Sequence, residues 1–199
     1  MIGVIEHPNW QIEFFRCHDR VGHRILWGPP DAQTLLAESL EGTPDQTWPA
    51  SPPFQHVHFE ARENGANVAL LVGMAGKSHW SSSVEIRPEA GGPTWDVACR
   101  TSDVPEWLGM SYRLAVPTRV VGDQIWFNVE GEVVATALSF DVDARIQAEV
   151  TGGNLRWRVA APAVSQPRTF RWRYSFISTV ADEEPTDEGL TDDGQATEA

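Results

Sequence analysis

The chain has 199 residues, of which 41% are hydrophobic, and a formal net charge of −13. This size predicts one domain with its own hydrophobic core, and no run reaches the roughly 20 consecutive apolar residues of a membrane-spanning helix. The acidic balance also argues against a nucleic-acid partner, because binding to DNA or RNA depends on basic side chains that neutralise phosphates.

Hydrophobic and polar residues alternate along most of the chain, as they do in strands with one buried face. In chain order the runs are WQIEFFRCH (10–18), HRILWG (23–28), FQHVHFEAR (54–62), NVALLVG (67–73), HWSSSVEIR (79–87), TWDVACR (94–100), DQIWFNVEGEVVATALSF (123–140), ARIQAEV (144–150), NLRWRVA (154–160) and RTFRWRYSFIS (168–178). The run at 123–140 predicts a hairpin that turns at Glu130-Gly131. Together the runs predict an all-β fold, an antiparallel β-sandwich or flattened barrel of about ten to thirteen short strands.

Two segments depart from the alternating pattern. DAQTLLAESLEG (31–42) has apolar residues at helical spacing behind Asp31, so residues 31–41 form either the single short helix of the chain or another strand. WPASPPFQ (48–55) is rich in proline and predicts an ordered loop or an extended connection.

Residues 182–199 hold eight acidic residues and no basic one, and setting them aside reduces the formal charge to −5. This composition predicts a disordered acidic tail behind a single β-domain at 1–181. The first 16 residues lack a basic region followed by an apolar core, so we expect no signal peptide and a cytoplasmic location. Cys17 and Cys99 are too few for a disulfide scaffold and are expected to be reduced, although a bridge between them remains compatible with the sequence.

The GKS at residues 76–78 matches the end of a phosphate-binding loop, which requires glycine, four residues and Gly-Lys-Ser/Thr between a strand and a helix. Leu71 stands where the first glycine is required, and the residues that follow alternate like a strand. The segment is therefore predicted to connect two antiparallel strands, 67–73 and 79–87. Lys77, the only lysine of the chain, is kept as a candidate ligand contact.

His56 and His58 are two residues apart, so both imidazoles project from the same face of a strand. If the strands at 54–62, 67–73 and 79–87 are neighbours, further polar side chains join that face. The predicted ligand-binding residues are His56, His58, Lys77, His79, Glu85 and Arg100. Such groups form hydrogen bonds with a small polar or acidic ligand, and a carbohydrate is one candidate. Most tryptophans lie on the apolar side of their strands and are assigned to the core.

The spacing of His56, His58 and Glu63, followed by His79, resembles the metal-binding motifs of the cupins. The resemblance implies a divalent transition metal held by these four side chains in a metal-dependent enzyme. Strict alternation turns Glu63 away from the first two histidines unless a bulge intervenes. Our prediction is that no cofactor is bound, and the metal site is the alternative.

The runs at 154–160 and 168–178 are predicted to pair as a hairpin with aromatic residues on one side. Its arginines, Arg156, Arg158, Arg171 and Arg173, would then form an anion-binding face on the other side. Facing arginines repel each other unless carboxylates or a bound anion lie close to them. Candidates for that role are Glu132, Asp143 and Glu149, a ligand carboxylate or phosphate, or the acidic tail.

The run LLVGMAGKSHWSSSVE (70–85), with WDVACR (95–100) and LGMSYRL (108–114) after it, resembles an uncharacterised family of bacterial proteins over most of residues 1–180. This resemblance implies no activity, cofactor or catalytic residue. The predicted function is a non-catalytic binding or interaction module with a polar ligand face, without nucleic-acid or membrane partners. The alternatives are a cupin-like metal enzyme and a sugar-processing enzyme of the mutarotase type, in which a histidine and a carboxylate act as acid and base.

Overall fold

The computed structural model describes residues 1–62, 67–87, 91–121, 124–129, 132–137, 146–159 and 167–178, and the regular structure in them consists of β-strands. The strands are β1 (Gly3–His7), β2 (Trp10–Cys17), β3 (Arg20–Trp27), β4 (Thr34–Ser39), β5 (Phe54–Ala61), β6 (Asn67–Ala75), β7 (Ser78–Arg87), β8 (Gly92–Thr101), β9 (Gly109–Leu114), β10 (Thr118–Val121), β11 (Gln124–Val129), β12 (Glu132–Ala137), β13 (Ile146–Thr151), β14 (Asn154–Val159) and β15 (Arg168–Ser178).

The strands form two antiparallel sheets that pack face to face. The seven-stranded sheet has the order β1-β2-β3-β4-β9-β14-β13, and the eight-stranded sheet has the order β10-β11-β12-β15-β8-β7-β6-β5. This arrangement confirms the predicted all-β fold and is the sandwich of the two alternatives, since the sheets do not close into one barrel. The described residues form more strands than predicted, because β1, β9 and β10 were not recognised in the sequence and β4 was left open.

The segment 31–41 contains strand β4, not a helix. It lies between β3 and β9, and its pairing with β3 shifts register between Ile25 and Leu26. Leu36 and Ala37 are both completely buried although they are consecutive. The register shift lets two successive side chains face apolar surroundings, which explains why the apolar residues of this strand imitate helical spacing.

The core between the sheets is dominated by aromatic rings. Tyr174 of β15 stacks on Trp95 of the same sheet with ring centroids 5.1 Å apart, and it contacts Trp157 of the opposite sheet at 4.9 Å. Along β15, residues 170, 172, 174 and 176 are buried, whereas Arg171 and Arg173 are exposed. The predicted alternation of this strand is therefore confirmed, and the core aromatic residues are those that share its apolar side.

A chain of hydrogen bonds crosses this core from one sheet to the other. His23 Nε2 lies 2.7 Å from the Tyr112 hydroxyl, which in turn lies 3.1 Å from the Tyr174 hydroxyl. All three side chains are buried, and burial lowers the pKa of His23 from 6.5 to about 3. Burial also raises the pKa of each tyrosine well above its usual value of 10. The three groups are therefore neutral at physiological pH, and Tyr112 is the middle member that satisfies both others.

We expect Tyr112→Phe to lower the free energy of unfolding by about 2–4 kcal/mol, because it leaves two buried polar groups without a partner. Tyr174→Phe removes one hydroxyl at the end of the chain and leaves the bond between Tyr112 and His23 intact. Its cost should be about 1 kcal/mol. Urea unfolding followed by circular dichroism measures both values, and equal losses in the two variants would contradict the assigned roles.

Residues 40–53 connect the two sheets and cover one end of the sandwich. Leu40 N–H donates to Ser111 O, the Ser51 hydroxyl donates to the same carbonyl, and the Trp107 indole donates to Ala50 O. From β3, the buried Arg20 guanidinium donates to the carbonyls of Pro53 and Met74. These contacts show that the proline-rich part of the segment is an ordered loop, as its sequence predicted.

Cys17 and Cys99 are both free, which confirms the prediction of two thiols. Cys99 is completely buried, and burial raises its pKa to about 12. None of the described residues belongs to a helix that has the length and apolar character needed to cross a membrane.

Candidate functional site

The GKS segment forms the turn between β6 and β7. Only Gly76 and Lys77 separate the two strands, and Gly76 has a φ of 54°. A two-residue hairpin turn of this kind favours glycine at its first position. A Cβ atom at Gly76 would lie 2.7 Å from Thr47 Cγ2, so the turn also packs against the loop at 40–53. Strand β7 follows directly, as predicted, and Lys77 is exposed at the tip.

The outward-facing side of the eight-stranded sheet brings most of the predicted ligand-binding residues to one surface, which we call the outer face. His56 and His58 are exposed on the edge strand β5, and their positions oppose Val72 and Leu70 of β6. His79 of β7 is exposed opposite Met74 on one side and Arg100 of β8 on the other. Glu85 belongs to the same side of β7 but is only 5% exposed.

The outer face is apolar along β6, the strand next to the edge strand β5. Leu70, Val72 and Met74, which follow one another along the outward side of β6, are 37%, 51% and 46% exposed. They are three of the six large apolar side chains that the described residues expose. We call them the β6 stripe. The stripe separates the histidines of β5 from His79, so the predicted polar face is divided in two.

The positive charges of the outer face differ in whether a carboxylate accompanies them. Arg173 forms an ion pair of 2.7 Å with Asp96, and Arg62 forms one of 2.9 Å with Glu85. In the described part of the chain, exposed Lys77, Arg100 and Arg171 form no ion pair. Lys77 lies in the turn at the end of the β6 stripe, Arg100 lies two strands from the stripe on β8, and Arg171 lies three strands from it on β15. These three side chains add positive charge to the outer face.

The register does not bring the proposed metal ligands together. His79 is on β7 and the other two histidines are on β5, so two strand spacings of about 4.8 Å separate their backbones. Among the described residues no group of three or more His, Cys, Asp or Glu could hold a metal ion, and Glu63 lies outside those residues.

The prediction of a single arginine face is wrong. Strand β14 pairs with β13 and β9, and β15 pairs with β8 and β12, so the expected hairpin does not form. Arg156 and Arg158 point outward from the seven-stranded sheet, whereas Arg171 and Arg173 point outward from the opposite sheet. Arg156 lies directly across from Glu149, which is one of the suggested carboxylate partners. The Arg158 guanidinium donates to Glu106 O at 2.9 Å and lies 6.0 Å above the Trp107 ring.

A pocket of about 410 Å³ opens between the sheets, at the end of the sandwich opposite the loop at 40–53. Trp27 and Thr34 lie directly opposite each other on β3 and β4 and line its wall from the seven-stranded sheet. Asn9 lines it from the connection between β1 and β2, and Val129 from the eight-stranded sheet. Sequence reasoning did not find this site, because Asn9 and Val129 are far in the chain from the other lining residues, which lie within 27–34.

A second group that the sequence did not reveal is Glu41 in the loop at 40–53. The Ser39 hydroxyl donates to Glu41 Oε1 at 2.7 Å and accepts the backbone N–H of His23. Glu41 Oε2 is buried without a hydrogen-bond partner. Burial raises the pKa of this carboxyl from 4.5 to about 7, although the Ser39 hydroxyl and the Arg20 charge act in the opposite direction. Glu41 is therefore more readily protonated in the folded protein than in the unfolded chain.

Comparison of the chain with protein-family models, with curated proteins and with solved structures finds no match. The resemblances to the cupins and to a bacterial family therefore stay predictions, and the function is argued from the site alone.

Because the pKa of Glu41 is higher in the folded state, the folded protein binds more protons than the unfolded chain between pH 4.5 and 7. The contribution of the Glu41 carboxyl to stability is complete below pH 4.5 and is lost as the pH rises through 7. We expect Glu41→Gln to abolish this loss. The free energy of unfolding of the variant should therefore rise relative to that of wild type by up to about 3 kcal/mol between pH 5 and 8. Urea unfolding at several pH values measures the difference.

Glu6→Gln is the matched control, since Glu6 is an exposed carboxylate on β1. His23 contributes a rise in stability from about pH 3 to 6.5, because its pKa is lowered by burial. That rise is common to wild type and both variants, and it cancels in the comparison. Parallel curves for wild type and Glu41→Gln would show that the carboxyl does not titrate with a raised pKa.

Proposed function

We propose that the protein is a non-catalytic, cytoplasmic binding module whose outer face takes an acidic ligand that also carries apolar groups. The observation that carries this proposal is the exposure of Leu70, Val72 and Met74 in one line on a sheet surface. Apolar side chains of the described residues are otherwise largely buried. An exposed apolar stripe with polar residues around it is typical of an interaction site.

The chemistry around the β6 stripe favours a negative ligand. Among the described residues, Arg100 on β8 and Arg171 on β15 are exposed on the same face without ion pairs, and Lys77 lies in the turn that ends the stripe. Charges of this kind guide an oppositely charged ligand to the surface and orient it, while burial of the apolar stripe supplies most of the affinity. The imidazoles of His56, His58 and His79 offer hydrogen bonds at both borders of the stripe.

The position of the groups with displaced pKa values supports a binding function over a catalytic one. His23 and Cys99 are buried between the sheets, and Glu41 lies in the loop that covers one end. Catalytic acids, bases and nucleophiles are usually groups whose pKa is displaced within an accessible cleft. Here the displaced groups lie away from the outer face, and the face itself presents side chains suited to contact.

A peptide of alternating glutamate and leucine is a suitable probe, because its side chains match both components of the face. We expect chemical shift changes in residues 70–74, 79 and 100 when the peptide is titrated into the protein. Added salt should reduce the affinity, because it screens the charges. Replacing both Arg100 and Arg171 with serine should weaken binding about fivefold, since two exposed charge pairs of about 0.5 kcal/mol each add to about 1 kcal/mol. Arg156→Ser, on the opposite sheet, is the control and should leave the affinity unchanged.

The apolar part of the site has its own matched pair of variants. Val72 and Val104 are 51% and 54% exposed, but Val104 lies outside the β6 stripe. We expect Val72→Thr to weaken binding of the glutamate–leucine peptide, whereas Val104→Thr should not. Equal affinity in all variants, or equal binding of a lysine–leucine peptide, would rule out the outer face as an acidic-ligand site.

A further inference from the structure

We propose that the pocket at the open end of the sandwich is a second, separate site, which binds one neutral sugar ring. Its volume of about 410 Å³ lies in the range of small-molecule sites. Its walls come from both sheets, with Trp27 and Thr34 on one side and Val129 on the other. This position differs from that of the outer face, because Arg20 at the start of β3 contacts Met74 O and Trp27 ends the same strand.

The described lining offers no charged partner to a ligand. The seven described residues that line the pocket are uncharged and do not titrate: Asn9, Trp27, Gly28, Pro29, Ala32, Thr34 and Val129. A phosphate, carboxylate or ammonium group entering the pocket would lose hydration without gaining a countercharge, which is strongly unfavourable. A ligand that fits is therefore neutral. Without a titrating group in the described part of the lining, binding is favoured over acid–base chemistry at this pocket.

The indole of Trp27 provides an apolar surface next to polar groups. The residue is partly exposed, but its Nε1 atom is covered and forms no hydrogen bond, so the exposed part of the ring is carbon. A sugar ring has an apolar face of C–H groups and a rim of hydroxyls, and the C–H face packs well against an aromatic ring. Trp27 is suited to this contact because the adjacent core holds it in place.

The hydroxyl rim has partners at Asn9 and Thr34. In the described part of the chain neither side chain forms a hydrogen bond, so both retain their full capacity. An amide can donate and accept, and a hydroxyl can do both, which matches the dual character of sugar hydroxyls. The pairing of two uncharged hydrogen-bonding groups with one aromatic ring points to a neutral saccharide and not to a purely apolar ligand.

The wall of the pocket at residues 28–32 is held by backbone contacts of the chain itself. Gly28 has a φ of 117°, its N–H donates to Asn9 O, and Ala32 N–H donates to Pro29 O. A Cβ atom at Gly28 would lie 2.8 Å from Ala32 O, so the turn is both close-packed and dependent on glycine. A fixed wall reduces the ordering that a ligand must impose, and this favours binding of a small molecule.

The test uses the full chain labelled with ¹⁵N, titrated with glucose, galactose, mannose and N-acetylglucosamine. Glucuronate and glucose 6-phosphate serve as charged analogues. We expect saturable shifts in the amides of residues 27–34 with at least one neutral sugar, and none with the charged analogues. Asn9→Ala and Thr34→Val should each weaken that binding about fivefold, the effect of losing one hydrogen bond. Asn67→Ala, an exposed asparagine at the start of β6, is the matched control.

Variants of the outer face separate the two proposed sites. Arg100→Ser and Val72→Thr should leave the sugar response unchanged, so failure of the acidic-ligand site does not remove this one. The proposal is overturned if no neutral sugar gives a saturable shift, if Asn67→Ala weakens binding as much as Asn9→Ala does, or if a charged analogue binds as well as its neutral parent.

Discussion

The contact on which the rest of the structure depends is the packing of aromatic rings between the two sheets. Tyr174 stacks on Trp95 within its own sheet and meets Trp157 and the Tyr112 hydroxyl from the other. Large rings fill the space of roughly 10 Å between packed sheets, so every central strand must turn alternate residues inward. The residues between them are then fixed on the outside, which is why His56 and the β6 stripe are available to a ligand.

The sequence predicted what depends on alternation alone. Local patterns predicted the hairpin of β11 and β12, the turn at Gly76, and the inward position of every second residue from Phe170 to Phe176. Strands β1 and β10 have five and four residues, too few to show a clear period. The pairing of β4 with β3 contains a register shift, which interrupts the two-residue alternation of β4. These elements are recognised only when their neighbours in the sheet are known.

Local pattern does not determine the sheet to which a strand belongs. Strands β14 and β15 have the same alternation of arginine with apolar or aromatic residues, yet Trp157 and Tyr174 approach each other across the core from different sheets. Their arginines consequently project in opposite directions. His23 was recognisable in principle, since it lies between Val21 and Ile25 on the apolar side of β3. Glu41 was not, because its burial results from the path of a loop.

At the ends of a sandwich, the core covers side chains on one side only, unlike those on the inner faces of the sheets. At one end, residues 40–53 cross between the sheets and supply carbonyls to Arg20 and Trp107, which closes the interior. At the other end, residues 28–33 join β3 to β4, and the space beside Trp27 stays open. An opening lined by an aromatic ring and unpaired neutral groups is therefore a consequence of how unequally the two ends are covered.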